Sequence, residues 1–148
     1  MEISIPESPH FRNLVAIILA MLTGVIVVGT IESIGHTVYP PPADLDMSDA
    51  EEMKKYIANI PLPAMLFVIF AWSAGIFSGC LIAGIMGVQQ HTFCCAVYSL
   101  IFTTMVVLML IMIPSPAWFS ILGIVILAPS ALAGWTISKW ILKRLKSI

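Results

Sequence analysis

Residues 62–88 read LPAMLFVIFAWSAGIFSGCLIAGIMGV, and no Asp, Glu, Lys or Arg interrupts them. The uncharged run is longer still, because it extends from Tyr56 to Ser138, a total of 83 residues. An average soluble domain carries about 25% charged residues, whereas this chain of 148 residues carries 10% and has a mean hydropathy of +1.01. No ordinary soluble core could absorb such a run, so the chain is predicted to be an integral membrane protein.

Four membrane-spanning helices are predicted, because a spanning helix needs roughly 20 mostly apolar residues and the uncharged stretches can be divided where polar or helix-breaking residues cluster. The divisions fall at the triple proline 40–42, at 89–91 and at 114–116. The predicted spans are residues 13–36, 62–88, 92–113 and 117–140. Pro129 is expected to kink the fourth span. The predicted fold is an all-α membrane four-helix bundle in which residues 1–148 form one membrane domain.

The orientation is predicted from basic residues near the ends of the spans. Arg12 precedes the first span, and only Lys54 and Lys55 lie in the first loop, residues 37–61, which also carries five acids. The basic cluster after the fourth span consists of Lys139, Lys143, Arg144 and Lys146. Five basic residues against two place both termini in the cytoplasm, and the cluster is interpreted as an orientation signal that can also contact anionic lipid headgroups.

The first loop is predicted to contain a short amphipathic helix over about residues 49–59. Ser48 is the expected N-cap, because Glu51 follows three residues later in a capping-box pattern. Met53, Ile57 and Ile60 share one apolar face, which should lie on the bilayer surface or on the tops of the spans. The helix is interpreted as a connector that seals the bundle, with a docking surface for a partner as the alternative.

Small residues recur at every fourth position of the second span. They are Ala71, Gly75, Gly79, Ala83 and Gly87. Such a row lets helix backbones approach closely in lipid, where packing and weak hydrogen bonds drive association. Two interpretations remain open: packing inside one four-helix bundle, or self-association into a homo-oligomer with the second span near its interface.

Glu32 and His36 are four residues apart at the outer rim of the first span, so their side chains share one helix face. In the structural interpretation they anchor the top of the span together with Tyr39, and Lys54, Lys55 or freed backbone donors are further partners for the carboxylate. In the functional interpretation they form the protonation site of a small proton- or ion-coupled transporter or channel.

The sequence contains no recognisable enzyme constellation, because it lacks a glycine-rich phosphate loop, a nucleophile elbow and a second intramembrane acid. Cys80, Cys94 and Cys95 are interpreted as small packing residues rather than as metal ligands. We therefore expect no enzyme activity, no cofactor, no metal and no nucleic-acid partner.

Residues 31–79, which begin IESIGHTVYPPP and end AWSAGIFSG, resemble a group of small uncharacterised bacterial inner-membrane proteins. That group shares an E-x-x-G-H-x-x-Y/F-P-P-P element, a short acidic helix, and a second span that starts near P-x-x-A and contains A-W-x-x-G-x-x-x-G. The matching positions are Glu32, Gly35, His36, Tyr39, Pro40, Pro41, Pro42, Pro61, Ala64, Ala71, Trp72, Gly75 and Gly79. The resemblance covers about the first 85 residues and implies a four-span protein of the bacterial inner membrane, without an established activity.

Taken together, the chain is expected to be a non-enzymatic protein of the lipid bilayer. It would act through helix packing, as a homo-oligomer or as an accessory subunit of a larger membrane complex. The alternative is the transporter or channel that uses Glu32 and His36.

Overall fold

The computed structural model describes residues 8–42, 49–88, 90–113, 115–145 and 147. In these ranges the chain forms helices and no strands. The helices are α1 (Pro9–Val38), α2 (Ala50–Asn59), α3 (Leu62–Met86), α4 (His91–Met112), α5 (Ala117–Val125) and α6 (Leu127–Leu145).

Four helical segments are long and apolar enough to cross a membrane: α1, α3, α4 and the pair α5–α6. The expected all-α membrane four-helix bundle is thereby confirmed. We call the end of the bundle at which α1 begins and α6 ends the terminal end. The opposite end, where α1 ends, α2 lies and α3 begins, is the loop end.

The bounds of α1 follow from local capping. Ser8 is the N-cap, its Oγ accepting a hydrogen bond from the Phe11 amide at 3.4 Å, and Pro9 occupies a first-turn position that needs no donor. At the other end the Tyr39 amide donates to the Gly35 carbonyl at 2.8 Å, and the prolines that follow cannot continue the helix. The helix therefore exceeds the predicted span 13–36 at both ends.

The fourth span is interrupted at Ile126, between α5 and α6. The interruption lies just before Pro129, whose ring crowds the carbonyl four residues earlier and whose nitrogen cannot donate to it. At the break the Ile126 carbonyl accepts hydrogen bonds from both the amide and the hydroxyl of Ser130, at 3.3 and 2.8 Å. A proline kink was expected in this span, and the structure locates the break at Ile126.

The centre of the bundle is α3, which contacts α1, α4, α5 and α6. It is also the most buried of the four spans, with 44% of its most apolar stretch buried, against 28% or less in the others. The small residues of α3 therefore lie where neighbouring helices converge on it.

The amphipathic helix α2 forms as expected, but its predicted N-cap is wrong. Asp49 is the N-cap, and its Oδ1 accepts hydrogen bonds from the Glu51 amide at 2.8 Å and the Glu52 amide at 3.4 Å. Ser48 lies outside the described residues. An aspartate caps a helix as well as a serine does, so two adjacent candidates could not be separated from sequence alone.

Candidate functional site: a cavity at the loop end

A cavity of about 250 Å³ lies at the loop end, between α1, α3, α4 and α5 and beneath α2. We call it the loop-end cavity. Its wall on α1 carries Glu32, Gly35 and His36, which recur at helical spacing and therefore share one face. Tyr39, directly after α1, completes that side.

Glu32 is half-buried at the cavity wall, whereas His36 is exposed. Within the described ranges the Glu32 carboxylate accepts no hydrogen bond and forms no salt bridge. Lys54 and Lys55 on α2 are exposed and do not line the cavity. The predicted bonds that would anchor the top of α1 are therefore not formed among these residues, although Glu32, His36 and Tyr39 do lie together.

The wall on α3 and α5 is aromatic. Tyr39 meets Phe67 edge-on with ring centroids 6.2 Å apart, and Trp72 meets Phe119 in the same way at 5.5 Å. Gly35 packs against Phe67, and a Cβ atom there would be in ordinary van der Waals contact with it, at 3.5 Å. The aromatic residues thus join the end of α1 to α3, and α3 to α5.

The apolar face of α2 covers the cavity through Met53, Tyr56, Ile57 and Ile60. Ile57 is 7% exposed and belongs to the core, and its neighbours Met53 and Ile60 pack against that core. Two positions were expected for this face, the bilayer surface or the tops of the spans, and the structure shows the second. No Cα atom of α2 comes within 8 Å of a Cα atom of another described helix, so only side chains hold it there.

Below the cavity the bundle is closed by the side chain of Tyr98 on α4. Its hydroxyl donates to the Gly75 carbonyl at 2.9 Å, and its ring occupies the space that Cβ atoms at Gly24 and Gly79 would need. Tyr98 is fully buried. The glycines of α1 and α3 therefore form a recess for an α4 tyrosine.

The predicted packing row of α3 is buried throughout its length. Ala71 and Ala83 have no exposed surface, Gly75 and Gly79 face α1 and α4, and Gly87 lies against the start of α4. Contacts within the chain thus cover the row, in agreement with the first of the two interpretations. Self-association through this row would require the bundle to open.

Hydrogen bonds between the helices are concentrated in the middle and at the terminal end of the bundle. The Ser73 and Ser130 hydroxyls lie 2.7 Å apart, and the Cys80 thiol lies 3.0 Å from the Ser99 hydroxyl. Asn13, buried near the start of α1, accepts a hydrogen bond from the Val88 amide at 2.7 Å. These bonds join α3 to each of the other three spans.

The basic cluster lies at the terminal end, beside tryptophans. The Lys139 ammonium sits 4.0 Å above the Trp135 ring, and the Arg144 guanidinium sits 4.0 Å above the Trp140 ring. Lys143 is exposed, and Lys146 lies outside the described residues. Cation–π contacts of this kind leave the charges at the bundle surface, where lipid headgroups would meet them.

Sequence reasoning missed most of the cavity. Tyr56, Phe67, Trp72 and Phe119 lie on four different turns of three helices and carry no shared spacing. The described residues bring together no group of three or more His, Cys, Asp or Glu side chains that could hold a metal ion. The chemistry offered by the cavity is therefore that of one carboxylate, one imidazole and several aromatic rings.

Comparisons with protein-family models, with curated proteins and with solved structures found no match to this chain.

Proposed function

We propose that this chain is a non-enzymatic membrane protein that acts by packing its bundle against a membrane partner, either a second copy of itself or a subunit of a larger membrane complex. Its four apolar spans make it a multi-pass membrane protein. The proposed partner contact is on α1, because a smaller share of its most apolar stretch is buried than in any other described span, 17%.

The observation that carries this proposal is a row of small residues on the exposed face of α1. Gly29, Ser33 and Thr37 recur at every fourth position on the side opposite the stripe that packs on α3, and all three are exposed. A Cβ atom at Gly29 would meet nothing within 4 Å. Small residues at this spacing form the close-packing faces of membrane helices.

The hydroxyl groups in this row are already satisfied within α1. Ser33 donates to the Gly29 carbonyl at 2.7 Å and Thr37 donates to the Ser33 carbonyl at 2.9 Å. The row is therefore a shallow surface without unmet donors, on which another helix can lie closely. The α3 row is covered inside the chain, so the α1 row takes its place as the proposed contact.

The test is the substitution Gly29→Leu followed by mass measurement in a mild nonionic detergent. We expect the unaltered chain to purify as a particle heavier than one chain of 16.1 kDa, and Gly29→Leu to lose the additional mass. Because a leucine at position 29 has room in the single chain, a loss of particle mass would report on the contact with the partner. Mass analysis of the co-purifying chains distinguishes a second copy from another subunit.

The matched control is Ala96→Leu, which adds the same side chain at an exposed position of α4. It should leave the particle mass unchanged. A single chain before substitution, or an unchanged mass after Gly29→Leu, would contradict the proposal. Gly79→Leu would be a poor test, because its side chain would meet Tyr98 and disrupt the bundle itself.

A second candidate is a small proton- or ion-coupled transporter or channel. It is favoured by one observation, that Glu32 and His36 line the same cavity. Against it, α3 to α6 carry no acid, and their Lys and Arg side chains lie at the terminal end from Lys139 onward. Glu32→Gln in proteoliposomes separates the two, because a transporter would lose its pH-dependent flux and a packing protein would have none to lose.

The proposed location is the inner membrane of a bacterium, with both termini in the cytoplasm. The excess of basic residues at the terminal end supports this orientation. The resemblance of the first 85 residues to small bacterial inner-membrane proteins supports the location.

A further inference from the structure

Glu32 is the only acidic side chain among the described residues that line the loop-end cavity. It is half-buried, and no described donor is bonded to its carboxylate. His36, the one basic residue on the wall, is exposed to the surroundings. The cavity wall therefore carries a partly desolvated carboxylate that His36 attracts electrostatically but that no described donor satisfies with a hydrogen bond.

Aromatic rings line the same cavity as this carboxylate. The pairs Tyr39–Phe67 and Trp72–Phe119 meet at interplanar angles of 63° and 61°, so neither pair is stacked face to face. The face of an aromatic ring is negative and attracts ammonium groups, and a nearby carboxylate strengthens that attraction.

The size of the cavity limits the ligand. Its volume of about 250 Å³ lies just below the range of roughly 300–1,000 Å³ that is usual for drug-sized ligands. At roughly 30 Å³ for a water-sized group, it holds about eight such groups. The cavity therefore favours a small ligand.

Other ligand classes fit the wall less well. An anion would face the Glu32 carboxylate, and a neutral hydrocarbon would desolvate that carboxylate without pairing with it. A metal ion would find only Glu32 and His36 as ligands among the described wall residues, fewer than a closed site needs. A cation with an apolar body satisfies both the carboxylate and the rings.

We propose that the loop-end cavity binds a small organic cation of the alkyl- or arylammonium class, whose ammonium group pairs with Glu32 and lies against Tyr39, Phe67 and Trp72. This inference goes beyond the proposed function, because it requires neither association nor transport.

The test is equilibrium dialysis of benzyltrimethylammonium against the full chain in a nonionic detergent, with benzenesulfonate as an anion of similar size. We expect saturable binding of the cation at one molecule per chain and no saturable binding of the anion. Equal binding of the two, or no saturable binding of the cation, would overturn the proposal. This comparison uses the unaltered chain and so does not depend on whether a variant folds.

The role of the Glu32 carboxylate in cation binding is tested by Glu32→Gln, which keeps the shape of the side chain and removes its charge. We expect affinity for the cation to fall at least tenfold. The control is Glu51→Gln, which makes the same change on an exposed residue of α2 that does not line the cavity, and should shift affinity less than twofold. An unchanged affinity in Glu32→Gln would refute the assigned role of this residue.

An ammonium group can belong to a free molecule or to a lipid headgroup, and competition distinguishes these sources. Dihexanoylphosphatidylethanolamine and dihexanoylphosphatidylglycerol share their acyl chains, and only the first carries an ammonium group. Displacement by the ethanolamine lipid alone assigns the site to lipid headgroups, and displacement by neither assigns it to free cations; both support the proposal. Equal displacement by the two lipids would overturn it, because acyl chains would then be the occupants.

Discussion

Tyr98 explains why glycines stand where α1, α3 and α4 meet. Its ring fills the space beside Gly24 and Gly79, and its hydroxyl donates to the Gly75 carbonyl at 2.9 Å. In lipid, where apolar surfaces gain little by meeting each other, such close packing and hydrogen bonding supply the stability. The two glycines of the α3 G-x-x-x-G pattern thus leave room for an aromatic side chain as well as for the backbone of a neighbouring helix.

Gly79→Ala tests this arrangement. The new Cβ would displace the Tyr98 ring, and we expect a loss of about 1–3 kcal/mol in the free energy of unfolding, as is typical of overpacked cores. The measurement is unfolding in mixed micelles with an increasing fraction of sodium dodecyl sulfate. Gly29→Ala is the control for replacing a helical glycine, because nothing within the chain lies within 4 Å of that position, and it should not lower the free energy of unfolding of the single chain. Equal effects of the two substitutions would show that Tyr98 is not confined as described.

At the scale of elements, α2 differs from every other helix of the described chain. It has ten residues, too few to be stable alone in water, and only side chains such as Ile57 attach it to the bundle. Its remaining support is local, namely the Asp49 cap and the acids of its first turn, which complement the helix dipole. The cover of the loop-end cavity is therefore the element with the least tertiary support.

Asp49→Ala should loosen α2 without unfolding the spans. Loss of an N-cap costs about 1 kcal/mol, which corresponds to a roughly fivefold larger population of the open helix. Hydrogen–deuterium exchange would show this as faster exchange confined to residues 50–59. Asp49→Asn should exchange at the original rate, because asparagine caps equally well. Faster exchange that extended into α3 would contradict the view that α2 opens separately.

Over the whole molecule, the two ends of the bundle are built differently. Polar bonds such as Asn13 to Val88 and Ser73 to Ser130 join the spans in the middle and at the terminal end. The loop end holds the cavity, whose carboxylate is unbonded among the described residues. Hydrogen bonds between the described spans are thus concentrated away from the cavity.

The arrangement of the chain across the membrane is tested by cysteine labelling. The native thiols of Cys80, Cys94 and Cys95 are buried and should not react with a membrane-impermeant maleimide. In sealed right-side-out vesicles we expect Glu51→Cys to react at once, and Ser8→Cys and Ser147→Cys to react only after permeabilisation. Reaction of Glu51→Cys and Ser8→Cys from the same side would rule out a crossing by α1. Reaction of only the two terminal positions before permeabilisation would reverse the orientation.

Much of the fold could be predicted from local sequence properties. The uncharged run predicted a membrane protein, and prolines and glutamines placed the ends of the spans within about five residues of those observed. The prediction of an apolar face on α2 was also correct, because hydrophobic periodicity depends on residues close along the chain. The prediction of Ser48 as the N-cap of α2 was wrong, because adjacent Ser and Asp residues are equally good N-cap candidates.

The sequence by itself determined the membrane environment, the four spans and the small-residue faces, because hydropathy and helical period depend only on residues close along the chain. Only the tertiary structure decided that α3 lies at the centre, that its glycines receive Tyr98, and that the α1 row at Gly29 remains uncovered. It also decided that Glu32 faces a cavity bordered by aromatic residues from separate helices. These features depend on which helix faces are brought together, and that choice is made by packing between residues far apart along the chain.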